Sequence, residues 1–184
     1  MEHPGEFWQE YDCCGRRIMD GHGVNPGDQV PNYFAGVAIM LYRYRDGEVE
    51  FLFQHRAKEL RGNPDKWDVS AGGHVNYDEP KLQTAVRETS EEIGVEINPE
   101  ELEFAASYLI TTNNGIAFLY FYDWQERPDD FKFNDHEVQE VKWVKAKDLV
   151  VFSENFKPQL KNDQMFFVML SRWEAKIRQK YGNN

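Results

Sequence analysis

The stretch GHVNYDEPKLQTAVRETSEEIGV, residues Gly73 to Val95, holds the strongest structural signal in the chain. It carries the punctuation of a helix. Asp78 or Glu79 can serve as N-cap, Pro80 suits the first helical position, and Gly94 suits a left-handed C-terminal cap. At 100° per residue, Leu82, Ala85, Val86, Thr89 and Ile93 gather on one stripe, while Glu88, Glu91 and Glu92 gather on another about a third of a turn away. The first stripe is expected to pack and the second to stay free to act.

Three carboxylates at this spacing repel one another by a few tenths of a kcal/mol per pair, partly offset by Arg87 four residues before Glu91. A solvated face is the usual fate of such acids. The alternative is a metal shelf: magnesium takes one or two protein carboxylates and fills its remaining positions with waters and substrate phosphate oxygens. The full spacing favours the shelf. Gly73, Glu79, Arg87, Glu88, Glu91, Glu92 and Gly94 are specified together, and coincidence of that many residue types has a probability on the order of one in a hundred million per starting position.

Upstream, an apolar run from Tyr33 to Tyr44 stops at Asp46-Gly47 and resumes from Val49 to His55, which predicts an antiparallel hairpin. Gly62-Asn63-Pro64-Asp65 reads as a loop, followed by a short strand from Trp67 to Ser70. Downstream, Leu102 to Thr111 and Ile116 to Trp124 form a second strand pair through Asn113-Asn114-Gly115, and Val138 to Val144 is a later strand. Ala146 to Val150 reads as one helical turn, and Pro158 to Tyr181 as a long closing helix. The whole is an α+β chain with a mixed sheet. Residues 1–32, rich in glycine, read as an N-terminal arm or hairpin belonging to the same domain as residues 33–184.

Composition narrows the function. Asp and Glu number 32 against 21 Lys and Arg, for a net charge of −11. Long-range attraction to a nucleic-acid polymer or an anionic membrane is excluded on that balance, so any phosphate needs local positive charge. No apolar run is long enough to span a membrane and no signal peptide is legible, which predicts a cytoplasmic protein. Cys13 and Cys14 are adjacent and read as free thiols; with His22 they lack the spacing of a metal site.

Gly73 to Val95 resembles the signature of the Nudix hydrolases, with Thr89 standing where that family usually has an aliphatic residue. The resemblance implies an α/β/α sandwich, a magnesium or manganese cofactor, and hydrolysis of a small-molecule diphosphate such as a nucleoside diphosphate derivative. By position, Glu88, Glu91 and Glu92 would be metal ligands, with Gly73 lending its carbonyl. Arg87 would orient the acids and Glu79 would support the loop. The general base would be Glu92, Glu88, or a later glutamate, for which Glu137 and Glu140 are candidates.

Trp67 to Val75, Gln54-His55-Arg56, and Tyr11-Asp12 with Gly15 extend the similarity to the branch related to isopentenyl-diphosphate isomerase. That enzyme's catalytic cysteine precedes a Gly-His pair. Here Gly72 precedes Gly73-His74, so hydrolysis is expected rather than isomerisation. Arg56 is a candidate for a substrate phosphate, the alternative being a structural ion pair; His55 and His74 are weaker candidates, against hydrogen-bonded structural histidines. Phe34, Trp67 and Phe118 are assigned to packing. A non-catalytic ligand sensor is the rival reading, against which the intact acid set argues. A homodimer through the N-terminal arm is compatible with the chain, without an interface legible in sequence.

Overall fold

Asp46 and Gly47, at φ 52° and 78°, form the tight turn expected between the first two long strands. A computed structural model describes residues 8–12, 15–18, 33–110 and 115–182. Cys13, Cys14, His22, Asn113 and Asn114 lie outside the described residues. In chain order the strands are β1 (Glu10–Tyr11), β2 (Tyr33–Arg45), β3 (Glu48–Arg56), β4 (Trp67–Asp68), β5 (Ala71–His74), β6 (Glu103–Ile110), β7 (Gly115–Asp123) and β8 (Val138–Lys145). The helices are α1 (Lys81–Ile93), α2 (Leu149–Phe152), α3 (Pro158–Lys161) and α4 (Gln164–Tyr181).

β2 organises the sheet because it serves two partners on one edge. Its outer end pairs with β3, from Tyr42 opposite Phe51 to Arg45 opposite Glu48. Its inner part pairs with β5, from Gly36 opposite His74 to Ile39 opposite Ala71. The other edge runs parallel to β7 from Phe34 to Tyr42. β6 follows β7, while β4 and β8 pair with β3, all antiparallel. The sheet is mixed, as the sequence predicts.

β7 is buried on both faces, and its alternation sorts the two cores. Phe118, Tyr120 and Tyr122 face Ala85 and Ile93 of α1, whereas Leu119 and Phe121 face Phe166, Leu170 and Ile177 of α4. Each such large apolar side chain contributes about 1.5–3 kcal/mol on burial. The result is the α/β/α sandwich. Among the described residues no helix is long and apolar enough to cross a membrane.

Three local expectations are corrected. The closing helix is broken: Asp163 adopts an extended conformation and its Oδ1 accepts the Phe166 backbone N–H at 3.0 Å, starting α4 afresh. Its own side chain supplies the first-turn bond that a continuous helix would take from the backbone. At α1 the N-cap position falls on Pro80, without a capping side chain, because Asp78 sits at φ 64° and the Glu79 carboxylate is engaged elsewhere. Leu82 is exposed; the helix enters the core only from Thr84 and Ala85 onward.

Candidate active site

β5 leads directly into the loop before α1, and the close approach of these elements requires glycine. A Cβ at Gly72 would lie 2.5 Å from the Val37 carbonyl oxygen. At Gly73 it would lie 2.0 Å from Oε1 of Glu88. The Glu88 carboxylate therefore rests on the Gly73 backbone. One turn later, Glu92 is 3% exposed, and its Oε2 accepts the Gly72 backbone N–H at 2.8 Å and the Gln54 amide at 3.2 Å. Helical spacing of four puts both acids on the side of α1 that meets β5.

Arg87 ties the loop to the helix. Its Nε and Nη2 donate to Glu79 at 3.0 and 3.1 Å in a two-pronged pair, and Nη1 lies 2.9 Å from Glu88 and 3.0 Å from Glu91. Nη2 also reaches the His74 carbonyl at 3.3 Å. Glu79 further accepts the Thr84 hydroxyl at 2.9 Å. Burial acts to raise the Glu79 pKa, but Arg87 and Thr84 together hold it below its ordinary value.

Glu88 and Glu92 shift in the direction opposite to Glu79. Desolvation pushes Glu88 up to about 7, with Glu91 and Glu137 adding to the rise and Arg87 opposing it. Desolvation raises Glu92 well above its ordinary value, with the Glu88 charge adding to the effect. Carboxylates whose ionised form is penalised by burial are a natural seat for a divalent cation. Gln54 Oε1, beside Glu92, is buried without a hydrogen-bond partner, a further oxygen in want of a donor or an ion. An all-oxygen set of this kind fits magnesium or manganese.

The structure does not gather every candidate. Glu91 is half-exposed and paired with Arg87, and among the described residues no group of three or more Asp, Glu, His or Cys side chains is arranged to hold a metal ion. Glu88 and Glu91 share Arg87 Nη1, whereas Glu92 is held by Gly72 and Gln54. Glu140 sits opposite His55 on the β3–β8 ladder, 3.1 Å from its Nδ1, while Asp65 holds Nε2 at 3.1 Å. The nearer later-loop acid is Glu137, whose charge reaches Glu88. His74 is stacked on Trp8 at 4.0 Å and joins the site through its carbonyl.

Arg56 lies 3.8 Å from Asp68 and donates to the Gly62 carbonyl at 3.1 Å, with its Nε buried and unpartnered. Three residues escaped the sequence reading as site members. Gln54 holds Glu92, Asp68 is 3% exposed beside Arg56, and Lys157 Nζ lies 2.5 Å from the same Asp68 oxygen. An acid inside the strand-like run Trp67 to Ser70 is a detectable anomaly. Lys157 carries no such signal, since only the return of the chain after β8 brings it there. Phe118 and Trp67 pack, the latter stacked on His55 at 4.6 Å.

Comparison with known proteins accords with this geometry. The NUDIX domain family model matches residues 33–176. The m7GpppN-mRNA hydrolase NUDT17 of Danio rerio is 39% identical over 67 residues, covering 36% of this chain but only 21% of its own length. The isopentenyl-diphosphate Delta-isomerase of Jannaschia sp. (strain CCS1) is 29% identical over 128 residues, covering 66% of this chain and 72% of the isomerase. Among solved structures, the C. elegans Ap4A hydrolase binary complex superposes with TM-score 0.59 at 22% identity, covering 79% of this chain and 98% of that one.

Proposed function

The chain belongs to the NUDIX domain family, and on that premise we propose that it is a metal-dependent hydrolase of a nucleoside diphosphate derivative. The observation that carries the reading is that Glu88 lies against Gly73 and Glu92 against Gly72. Glu88 and Glu92 would hold magnesium or manganese, with the Gly73 carbonyl as a further ligand. When bound, the ion supplies charge neutralisation for the diphosphate and acidifies a coordinated water.

The side chains have separate tasks. Arg87 keeps Glu88 over Gly73 and locks the loop through Glu79. Gln54 and the Gly72 N–H fix the orientation of Glu92. Arg56, held at the Gly62 carbonyl and near Asp68, is the cation assigned to a substrate phosphate. Glu137 is the later-loop carboxylate proposed to accept the proton as the water oxygen bonds to phosphorus and the bridging P–O bond breaks, leaving two phosphate products.

Isomerisation is disfavoured by packing as well as by residue type. Any side chain at position 72 would meet the Val37 carbonyl, so the acid–base group that isomerase chemistry places there has no room. The net charge of −11 favours a small nucleotide over a polymer end. The test is turnover of a panel of nucleoside diphosphate derivatives with and without magnesium. Magnesium-dependent release of two phosphate products is expected; no turnover of any member would refute the proposal.

A further inference from the structure

The break in the predicted closing helix leaves a cleft of about 360 Å³ between the end of β6 and the α3–α4 junction. That volume lies within the range of small-molecule sites. Leu109 and Ile110 form one wall, and Pro158, Gln159 and Gln164 the other. Asn162 holds the bend by donating to the Pro158 carbonyl at 3.0 Å. Asp163, at the base, is committed to the Phe166 N–H and to the partly buried Tyr108 hydroxyl.

The lining chemistry is selective. Gln159 and Gln164 are exposed and uncharged, each offering an amide donor and acceptor. Leu109 is 46% exposed, an apolar surface across from them. The lining holds no cation to receive a second phosphate, and an aliphatic chain would strip water from the amides without replacing their hydrogen bonds. A flat heterocycle satisfies both walls, one by its face and the other by its edge.

A run of contacts leads from the cleft to Asp68. Lys157 directly precedes Pro158, donates its backbone N–H to the Trp67 carbonyl at 3.0 Å, and places its ammonium on Asp68, where Arg56 also lies. Asp68 is in turn close enough for its charge to act on Glu92. Two cations, Lys157 and Arg56, thus meet at Asp68.

We propose that this cleft seats the base of a nucleotide substrate, with Gln159 and Gln164 reading its edge and Leu109 and Ile110 covering its face. The inference rests on the hydrolase reading above, because Lys157 and Arg56 then bridge to the diphosphate. It is tested on the full chain by calorimetric titration, without metal, of the four common nucleoside monophosphates and of ribose 5-phosphate as the base-free control. At least one nucleotide should bind more tightly than ribose 5-phosphate. Gln159→Leu and Leu109→Glu, both at exposed positions and checked for unchanged melting, should each weaken that nucleotide about tenfold, the weight of one amide–base contact. Neither should change ribose 5-phosphate binding, and in turnover assays the loss should appear in KM. Equal affinity for ribose 5-phosphate and every nucleotide, or wild-type nucleotide affinity in both variants, would overturn the assignment. Base-dependent binding without turnover of any diphosphate would instead refute the hydrolase reading and leave the cleft standing.

Discussion

Glu88 and Gly73 are in such close contact that the absence of a single β-carbon at residue 73 determines where the carboxylate lies. The relation couples a strand end to a helix face separated by fourteen intervening residues. It also makes a sharp demand on substitution.

Gly73→Ala places a methyl where Glu88 Oε1 now stands, so the carboxylate must swing away or β5 must shift. Displacement of a reacting group by about 1 Å costs on the order of 10²-fold in rate. We expect a loss of that size in magnesium-dependent turnover, with weaker magnesium binding by titration. Normal turnover would show that Glu88 has no role over residue 73.

Glu92→Gln conserves volume and leaves an oxygen to accept the Gly72 N–H. It removes one anionic ligand and one buried carboxyl. Turnover should fall by roughly 10²-fold or more while the melting temperature is maintained, as a group that aids catalysis rather than folding requires. Near-normal kcat/KM in Glu92→Gln would refute the assigned role.

The Glu88 pKa, raised from 4.5 to about 7, has a definite consequence for stability. The folded chain binds more protons than the unfolded chain between these two values, so stability is greater at low pH and is lost as pH rises from about 4.5 through 7. The contribution is on the order of 3 kcal/mol. In metal-free protein the melting temperature should fall over this window, and Glu88→Gln should flatten the fall. Magnesium should flatten it too, because it holds the acids ionised. A slope unaffected by both would contradict the placement of Glu88.

Glu137 and Glu140 are three residues apart but differ in surroundings. Glu137 acts on Glu88, whereas Glu140 pairs with His55. Glu137→Gln should lower kcat by roughly 10²-fold. Glu140→Gln should stay within a few-fold of wild type. The reverse ranking would return the base to Glu140.

Much of the fold was legible because it depends on local rules. The Asp46-Gly47 turn, the Gly94 cap, the β2 and β7 apolar runs and the spacing of Glu88 and Glu92 all follow from short-range backbone geometry. The closing helix was misread where local rules competed: its apolar period continues across Asn162-Asp163, yet Asp163 satisfies the Phe166 N–H and restarts the helix.

By itself, then, the sequence determined the helix that carries the acids, the sheet class, and the glycines that admit them. Only the tertiary structure decided what holds each acid. Helical spacing alone cannot tell Glu91, held by Arg87, from Glu92, held by Gly72 and Gln54. Nor can it foresee Lys157 arriving at Asp68 from 89 residues away, since that depends on how the chain returns across the sheet. Such partners are chosen by packing between distant segments, and desolvation then sets the charge of each group.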